Sequence, residues 1–300
     1  MKRLIIIYNP RSSRYKDVER EVISKTRELK GYTVGKYEVL NTDVDDNAKQ
    51  FSKIVQDGDL VLAVGGDATA VIGVNGIINS KKDARLAVLP YGNFNDLART
   101  LGTKTLEQVL NGKTEKYYPL EILVDGKHFR YASSYVTIGM TAESVELFDD
   151  VKVRKELQKG SKSSWKSYVE LVKWYFKNRK KDFLPEFKLN GESMPSDTTD
   201  YAALNGRSMA RVMKGGDWFL HPEEFWHQTG RFKSLWRLTG LMVPAILKQT
   251  PGSLVRGTDV LEFLEPATVE LQAEGEYRVF KDIKKIEIKK SDMYFKVITN

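Results

Sequence analysis

The chain contains no cysteine, which removes disulfides, thiolate metal sites and thiol nucleophiles together. Histidine is nearly as scarce. The three present, His128, His221 and His227, lack helical metal-ligand spacing, so no histidine zinc site is expected. Long hydrophobic runs are missing too. The best candidate, LTGLMVPAIL at 238–247, is too short to cross a bilayer and carries Pro244. The opening MKRLIIIYNP has an apolar core only from Leu4 to Ile7 and no small-residue cleavage pattern, so it reads as a first strand and not as a leader. With 300 residues, 41% of them hydrophobic, the expectation is a soluble, cytoplasmic, globular protein of one large or two ordinary domains.

Charge is what the chain has in excess of one sign. The net charge of +8 favours anionic partners: nucleotides, anionic membrane surfaces or nucleic acid. Residues 151–181 concentrate it, with eleven basic residues against Glu156 and Glu170, and with Trp165, Tyr168, Trp174, Tyr175 and Phe176 interleaved. A basic helix with aromatics can lie on an anionic membrane, and Lys173, Lys177, Arg179 and Lys180 are the candidate contacts. It can equally pack its aromatics inward and leave its lysines in water. No nucleic-acid reader motif is present, so no nucleic-acid partner is expected.

The first third alternates strand and helix. RLIIIYN, YTVGKYEVL, DLVLAV and ARLAVLP read as strands, separated by helix-like KDVEREVISKTRELKG, DDNAKQFSKIVQDG and TAVIGVNGIINS. TLEQVLNG opens with a capping-box pattern, Thr105 and Gln108. This rhythm predicts an open, mainly parallel sheet with helices on both faces. From about residue 118 the pattern changes to hairpins, the first around Asp125–Gly126, and predicts a mostly antiparallel, β-sandwich-like second domain. The expected layout is an α/β domain over 1–117 and a β-rich domain over 118–281 with a helical basic insertion at about 142–181. The tail, about 282–300, is compatible with either domain, including a return to the first.

Three βα turns carry polar residues. After the strand ending at Val64, GGD at 65–67 precedes a helix expected to start near Ala68 or Thr69. Glycine allows close backbone approach, and a helix N-terminus offers free N–H groups, so the pair makes an anion site. Asp67 then serves as a Mg2+ holder or a positioning group, or is simply a helix cap. LPYGNFND at 89–96 and YNPRSS at 8–13 form two more such turns on the same sheet edge, which points to one shared nucleotide site.

In order and spacing, NPRSS, GGDATAVIGVNG and LAVLPYGNFNDLARTLG resemble the NPxSG, GGDGTxxEVxNG and PxGTxNDxAR patterns of the diacylglycerol kinase catalytic-domain family, which includes sphingosine kinases and bacterial soluble lipid kinases. YASSYVTIGMTAESVE, KGSKSSWKSYVELVKW, DYAALNGRSMARVMKGGDWFLHPEEF and VELQAEGE are similar to later parts of that family. The resemblance implies ATP- and Mg2+-dependent phosphorylation of a hydroxyl on a diacylglycerol-like or related lipid by a cytoplasmic, peripherally membrane-associated enzyme, in a cleft between the two domains. It implies that Gly65, Gly66 and Thr69 line the phosphates, that Asn9, Gly92 and Asn95 shape the nucleotide cleft, and that Asp67 and Asp96 organise Mg2+ and nucleotide. Glu276, the last residue of the counterpart of the family's DGE, would be the general base.

The sequence also departs from the family pattern. Ala68 replaces the fourth residue of GGDGT, and Asn93 and Phe94 replace the threonine and second glycine of the PxGTxND region. Thr229 replaces an aspartate, so a structural Mg2+ site is not expected, and Glu274 replaces the aspartate of DGE. Two other readings therefore stay open: a catalytically degenerate relative that binds nucleotide or lipid, and a kinase of the NAD kinase type, which shares a GGD turn.

Overall fold

The computed structural model describes residues 1–39, 42–145, 147, 164–211 and 213–300, the side chains of 164–168 excepted. Strands β1 (Lys2–Tyr8), β2 (Tyr32–Glu38), β3 (Leu60–Gly65) and β4 (Arg85–Pro90) form a parallel core in the order β2-β1-β3-β4. Leu4–Tyr8, Leu60–Val64 and Leu86–Leu89 are all buried, because helices cover both faces and leave no solvated side for alternation. β2 lies on one side of β1 and β3 on the other. The loops that follow β1 and β3 therefore diverge at a switch point, where open α/β sheets bind ligands.

The helix Asp67–Ser80 runs behind the sheet with residues 69–78 buried. Its VNG segment has two structural uses. Asn75 donates to the carbonyl of Tyr131 and accepts from the Tyr131 N–H, both at 3.0 Å. Gly76 lets Phe51 pack against the helix, where an added Cβ would stand 2.4 Å from the ring. The helix Leu106–Asn111 has the expected capping box on Thr105 and Gln108.

The second lobe is a ten-stranded sheet in which every pairing is antiparallel. It comprises β6 (Leu120–Val124), β7 (Lys127–Ala132), β8 (Tyr135–Gly139), β9 (Phe187–Leu189), β10 (Glu192–Ser193), β11 (Asp200–Leu204), β14 (Glu224–Gly230), β15 (Ser253–Arg256), β16 (Thr258–Ala273) and β17 (Glu276–Lys290). The short strands β12 (Ser208–Met209) and β13 (Met213–Lys214) pair separately. β16 and β17 are long, and register shifts between Glu262 and Val269 bend their ribbon. Side chains from both ends of this strand order share one core that includes Ile122, Val136, Tyr201, Phe225, Leu261 and Ile286. Asp125–Gly126 and Glu274–Gly275 both take positive φ at both positions, as a two-residue hairpin requires.

The last strand, β18 (Phe295–Thr299), returns to the first sheet between β4 and β5 (Lys113–Tyr117). The chain crosses back at 291–294, later than about 282, because β17 keeps its pairing with β6 up to Lys290. The lobes are tied by a bidentate pair between the fully buried Arg130 and Asp45, and by Arg278 with Asp43. Tyr117 stacks on Phe219 at 4.7 Å between ring centroids.

Candidate active site

The turns after β1, β3 and β4 meet at one end of a cavity of about 720 Å³ that reaches into the second lobe. Asn9, Gly65, Gly66, Asp67, Thr69 and Gly92 all line it. The two glycine turns touch: a Cβ on Gly92 would lie 2.2 Å from the Gly66 Cα, so residue 92 cannot carry a side chain without parting the loops. The helix begins at Asp67 with Gly66 as its N-cap, one residue before the expected start. Ala68 is helical and not among the positive-φ residues, so its methyl imposes no backbone strain. It lines the cavity, as does the half-buried ring of Phe94.

Asp67 does not cap its own helix. Its carboxylate accepts the N–H groups of Asn95 at 3.0 Å and Asp96 at 2.7 Å, and so holds the β4 turn in place. Asn95 takes φ 59° there, and its amide closes the turn onto Gly92 through bonds of 2.8 Å in both directions.

Two expected site residues lie elsewhere. Asp96 is 1% exposed and is absent from the cavity wall. Its carboxylate accepts from the Ser208 hydroxyl at 2.5 Å and from the Ala210 and Arg211 N–H groups, both at 2.9 Å. Those three donors hold the Asp96 side chain as a bond between the lobes, away from the cavity wall. Asn95 is likewise buried in its turn and does not reach the cavity. The Ala210 and Arg211 N–H groups can point at Asp96 because both residues adopt positive φ.

From the second lobe, the Glu274–Gly275 turn and Glu276 enter the cavity wall. Glu276 is half-buried there, not a solvated turn carboxylate. Glu274, which replaces the aspartate of the family's DGE, is the more deeply buried of the two. One oxygen accepts from the Ser133 hydroxyl and the Ser134 N–H, while Oε2 is buried with no hydrogen-bond partner among the described groups. The signal for it was present in AEGE, where a residue in a two-residue turn must take positive φ.

Burial raises the proton affinity of Glu274, against the opposing pull of its Ser133 and Ser134 bonds. Asp67 is raised as well, first by burial and then by the charges of Asp96 and Glu274. Asp67 and Glu274 are both oxygen donors on one cavity wall. This donor set suits a hard divalent cation that arrives with phosphate oxygens. No cluster of three or more metal-ligating side chains is found among the described residues.

Beyond the carboxylates the wall turns apolar: Met140, Leu171, Trp174, Tyr175, Phe232, Leu238, Leu241 and Met242. Gln228, Tyr135 and Gln272 form a polar patch at its sheet floor. Lys173, Lys177, Arg179 and Lys180 are not on this wall; they lie on the outside of the helix Ser164–Asn178 and the turn after it. Of the remaining basic residues of that segment, Lys181 pairs with Glu143 at 2.6 Å, whereas Lys152, Arg154, Lys155, Lys159 and Lys162 lie outside the described residues, as does the side chain of Lys166.

Comparison with known proteins bears on the same turns. Residues 3–122 match the family model of the diacylglycerol kinase catalytic domain. The resemblance to that family therefore stands. A diacylglycerol kinase of Bacillus subtilis (strain 168) is 34% identical over 139 residues, 43% of this chain and 44% of the relative. A diacylglycerol kinase of Staphylococcus epidermidis is 31% identical over 123 residues, 38% of each. The matched region thus spans less than half the length of these curated relatives. A solved diacylglycerol kinase structure from Bacillus anthracis str. Sterne covers 100% of this chain and 97% of its own, with a TM-score of 0.64 at 14% identity. A second structure from that organism gives 0.69 at 15%. The shared fold is the two-lobed one described above.

Proposed function

We propose that the protein is a lipid kinase that transfers the γ-phosphoryl group of ATP to a hydroxyl of a diacylglycerol-like lipid. One observation carries this reading: a single cavity joins the glycine turns, the carboxylates and an apolar chamber. Phosphates would sit against the Gly65–Gly66 and Gly92 turns and the N-terminus of the helix Asp67–Ser80, where N–H groups and the helix dipole favour anions. The chamber would hold acyl chains. Its apolar wall speaks against the polar substrate of an NAD kinase-type enzyme.

In the transfer, the lipid hydroxyl oxygen forms a bond to the γ-phosphorus, the bond to the β,γ-bridging oxygen breaks, ADP leaves, and the hydroxyl proton goes to a carboxylate. We assign that proton to Glu274, because burial raises its proton affinity and Oε2 has no competing donor among the described groups. Glu276, which the family motif favours, stands beside it on the wall. Asp67 holds the β4 turn and faces the phosphates; Mg2+, when bound with the nucleotide, supplies neutralisation of phosphate charge. Peripheral association with an anionic membrane through Lys173, Lys177, Arg179 and Lys180 belongs to the same reading.

The test is transfer of label from γ-labelled ATP to a panel of lipid alcohols, alongside Asp67→Asn, Glu274→Gln and Glu276→Gln. Label in lipid, lost in Asp67→Asn and in one of the glutamate variants, is the expected result. Tight ATP binding without transfer to any lipid supports the degenerate reading, which the Phe94 ring on the cavity wall motivates.

A further inference from the structure

The helix Leu235–Leu247 is apolar on two opposite faces. Leu238, Leu241 and Met242 turn inward onto the chamber, with Ala245 buried beside them. The other face carries Trp236, Gly240, Val243 and Leu247, spaced four, three and four residues apart, which at 3.6 residues per turn is one stripe. Trp236 is 86% exposed and Leu247 66%, and Val243 and Ile246 are exposed as well. Arg237 is the only charged residue in the helix, and it is paired with Asp197 at 2.8 Å. A helix apolar all round belongs in a core or against lipid, and this one lies at the protein surface.

The neighbouring helix Ser164–Asn178 repeats the arrangement. Trp174 and Tyr175 pack with Phe232, Leu238 and Leu241. Val172 and Phe176 line the cavity and are yet about half exposed, as is Leu235, so these residues mark where the chamber reaches the surface. Lys173, Lys177 and Lys180 stand exposed beside this mouth, and Lys248 stands at the end of the apolar helix. Tryptophan beside lysine at the rim of an apolar face is the composition of a membrane interface.

We propose that the outward stripe of Leu235–Leu247 docks on an anionic lipid bilayer, with Trp236, Val243 and Leu247 seated at headgroup depth. The acceptor then enters the chamber laterally between the two helices; this second clause rests on the lipid-kinase reading, whereas docking does not. Charge decides the occupant. A second copy of the chain across this face would set like-charged Lys173, Lys177 and Lys180 against their counterparts, whereas phosphatidylglycerol headgroups complement them. The stripe adds what the basic segment alone lacks, an apolar anchor that salt does not screen.

The experiment is flotation of the full chain with vesicles of phosphatidylcholine, with and without phosphatidylglycerol, at low and high salt. Wild type is expected to float with the anionic vesicles. The variant Trp236→Ser/Val243→Ser/Leu247→Ser is expected to lose at least tenfold in vesicle affinity with no fall in melting temperature, because the three side chains touch solvent. Lys173→Glu/Lys177→Glu/Lys180→Glu is expected to lose only the salt-sensitive part. Flotation of the serine variant equal to wild type overturns the proposal. So does a wild-type dimer that the serine variant dissociates, with neither form floating. The two readings separate in a phosphorylation assay. With a short-chain acceptor below its micelle concentration the serine variant should match wild type, and with vesicle-borne acceptor it should fall about tenfold in kcat/KM. No turnover of any acceptor, with stripe-dependent flotation intact, sinks the kinase reading and leaves the docking surface standing.

Discussion

Asp67 accepts the backbone N–H of Asp96 at 2.7 Å, and the Asp96 side chain reaches away from it to take Ser208, Ala210 and Arg211 of the other lobe. Two acids that look like a metal pair in sequence are consecutive links of one chain of bonds. The first fixes a cavity turn; the second fixes that turn to the far lobe. Asp96→Asn turns one acceptor oxygen into an amide that meets N–H donors. Removing one partner of such a buried charged network costs about 2–4 kcal/mol. The expected outcome is a melting temperature lowered by several degrees, with the Mg2+ dependence of any remaining activity unchanged. An unchanged melting temperature with a large rise in the Mg2+ requirement would return Asp96 to the metal.

Gly92→Ala tests the meeting of the turns directly. With 2.2 Å between the new Cβ and the Gly66 Cα, the loops must separate. A displacement of about 1 Å at reacting groups can cost about 100-fold in rate. We expect that order of loss in kcat/KM for ATP. Gly126→Ala, at a positive-φ hairpin position with open space around it, should cost stability and leave catalysis alone.

Phe94 is the departure with most consequence for the nucleotide. Its ring shares the wall with Gly66 and Gly92, where phosphate oxygens need unobstructed backbone N–H groups. Phe94→Ala should tighten ATP binding about threefold to tenfold, or about 1 kcal/mol, measured by calorimetry. Weaker binding would mean that the ring stacks on the nucleotide.

The first-lobe turns and the first hairpin of the second lobe were legible because local chemistry sets them: glycine after a strand, a capping box at Thr105, and Asp-Gly between two strands. Ala68 looked like a fault only by its motif position, since a helical residue needs no positive φ. What was hidden depends on partners far along the chain. Asp96 finds Ser208 112 residues away, and Glu274 finds Ser133 141 residues away. No periodicity encodes those pairings. They decide which acid faces the cavity and which is turned into a lobe contact.

Asp200 gives stability a pH dependence of known sign. It is buried, accepts the Thr141 N–H at 2.7 Å and leaves Oδ2 without a partner among the described groups. Burial pushes it from 3.8 up to about 7. A raised acid favours the protonated folded state, so its contribution is complete below pH 3.8 and is lost as pH rises to about 7. At about 1.4 kcal/mol per pH unit, up to about 4 kcal/mol is at stake. Asp200→Asn cannot ionise, so the variant should gain melting temperature relative to wild type between pH 5 and pH 8. A constant difference across that range would place the titration elsewhere.

Gln228 lies in register with Ala202, Thr137 and Gln272 across four strands, so the four share one face of the sheet. Thr137 donates to Gln272 at 2.6 Å, and Gln272 donates to the Tyr135 hydroxyl at 3.2 Å. Gln228 is 4% exposed, lines the cavity, and its Oε1 has no partner among the described groups. An unpaired buried amide costs stability, so Gln228→Leu should leave the melting temperature level or raise it. If the amide serves to recognise a polar group on the acceptor, the same change should raise KM about tenfold for an ester-linked diacyl acceptor. KM for a dialkyl ether counterpart, which lacks the carbonyl, should hardly move, and kcat should be unaffected for both. Equal effects on the two acceptors would show that the leucine alters the shape of the chamber and that the amide reads nothing.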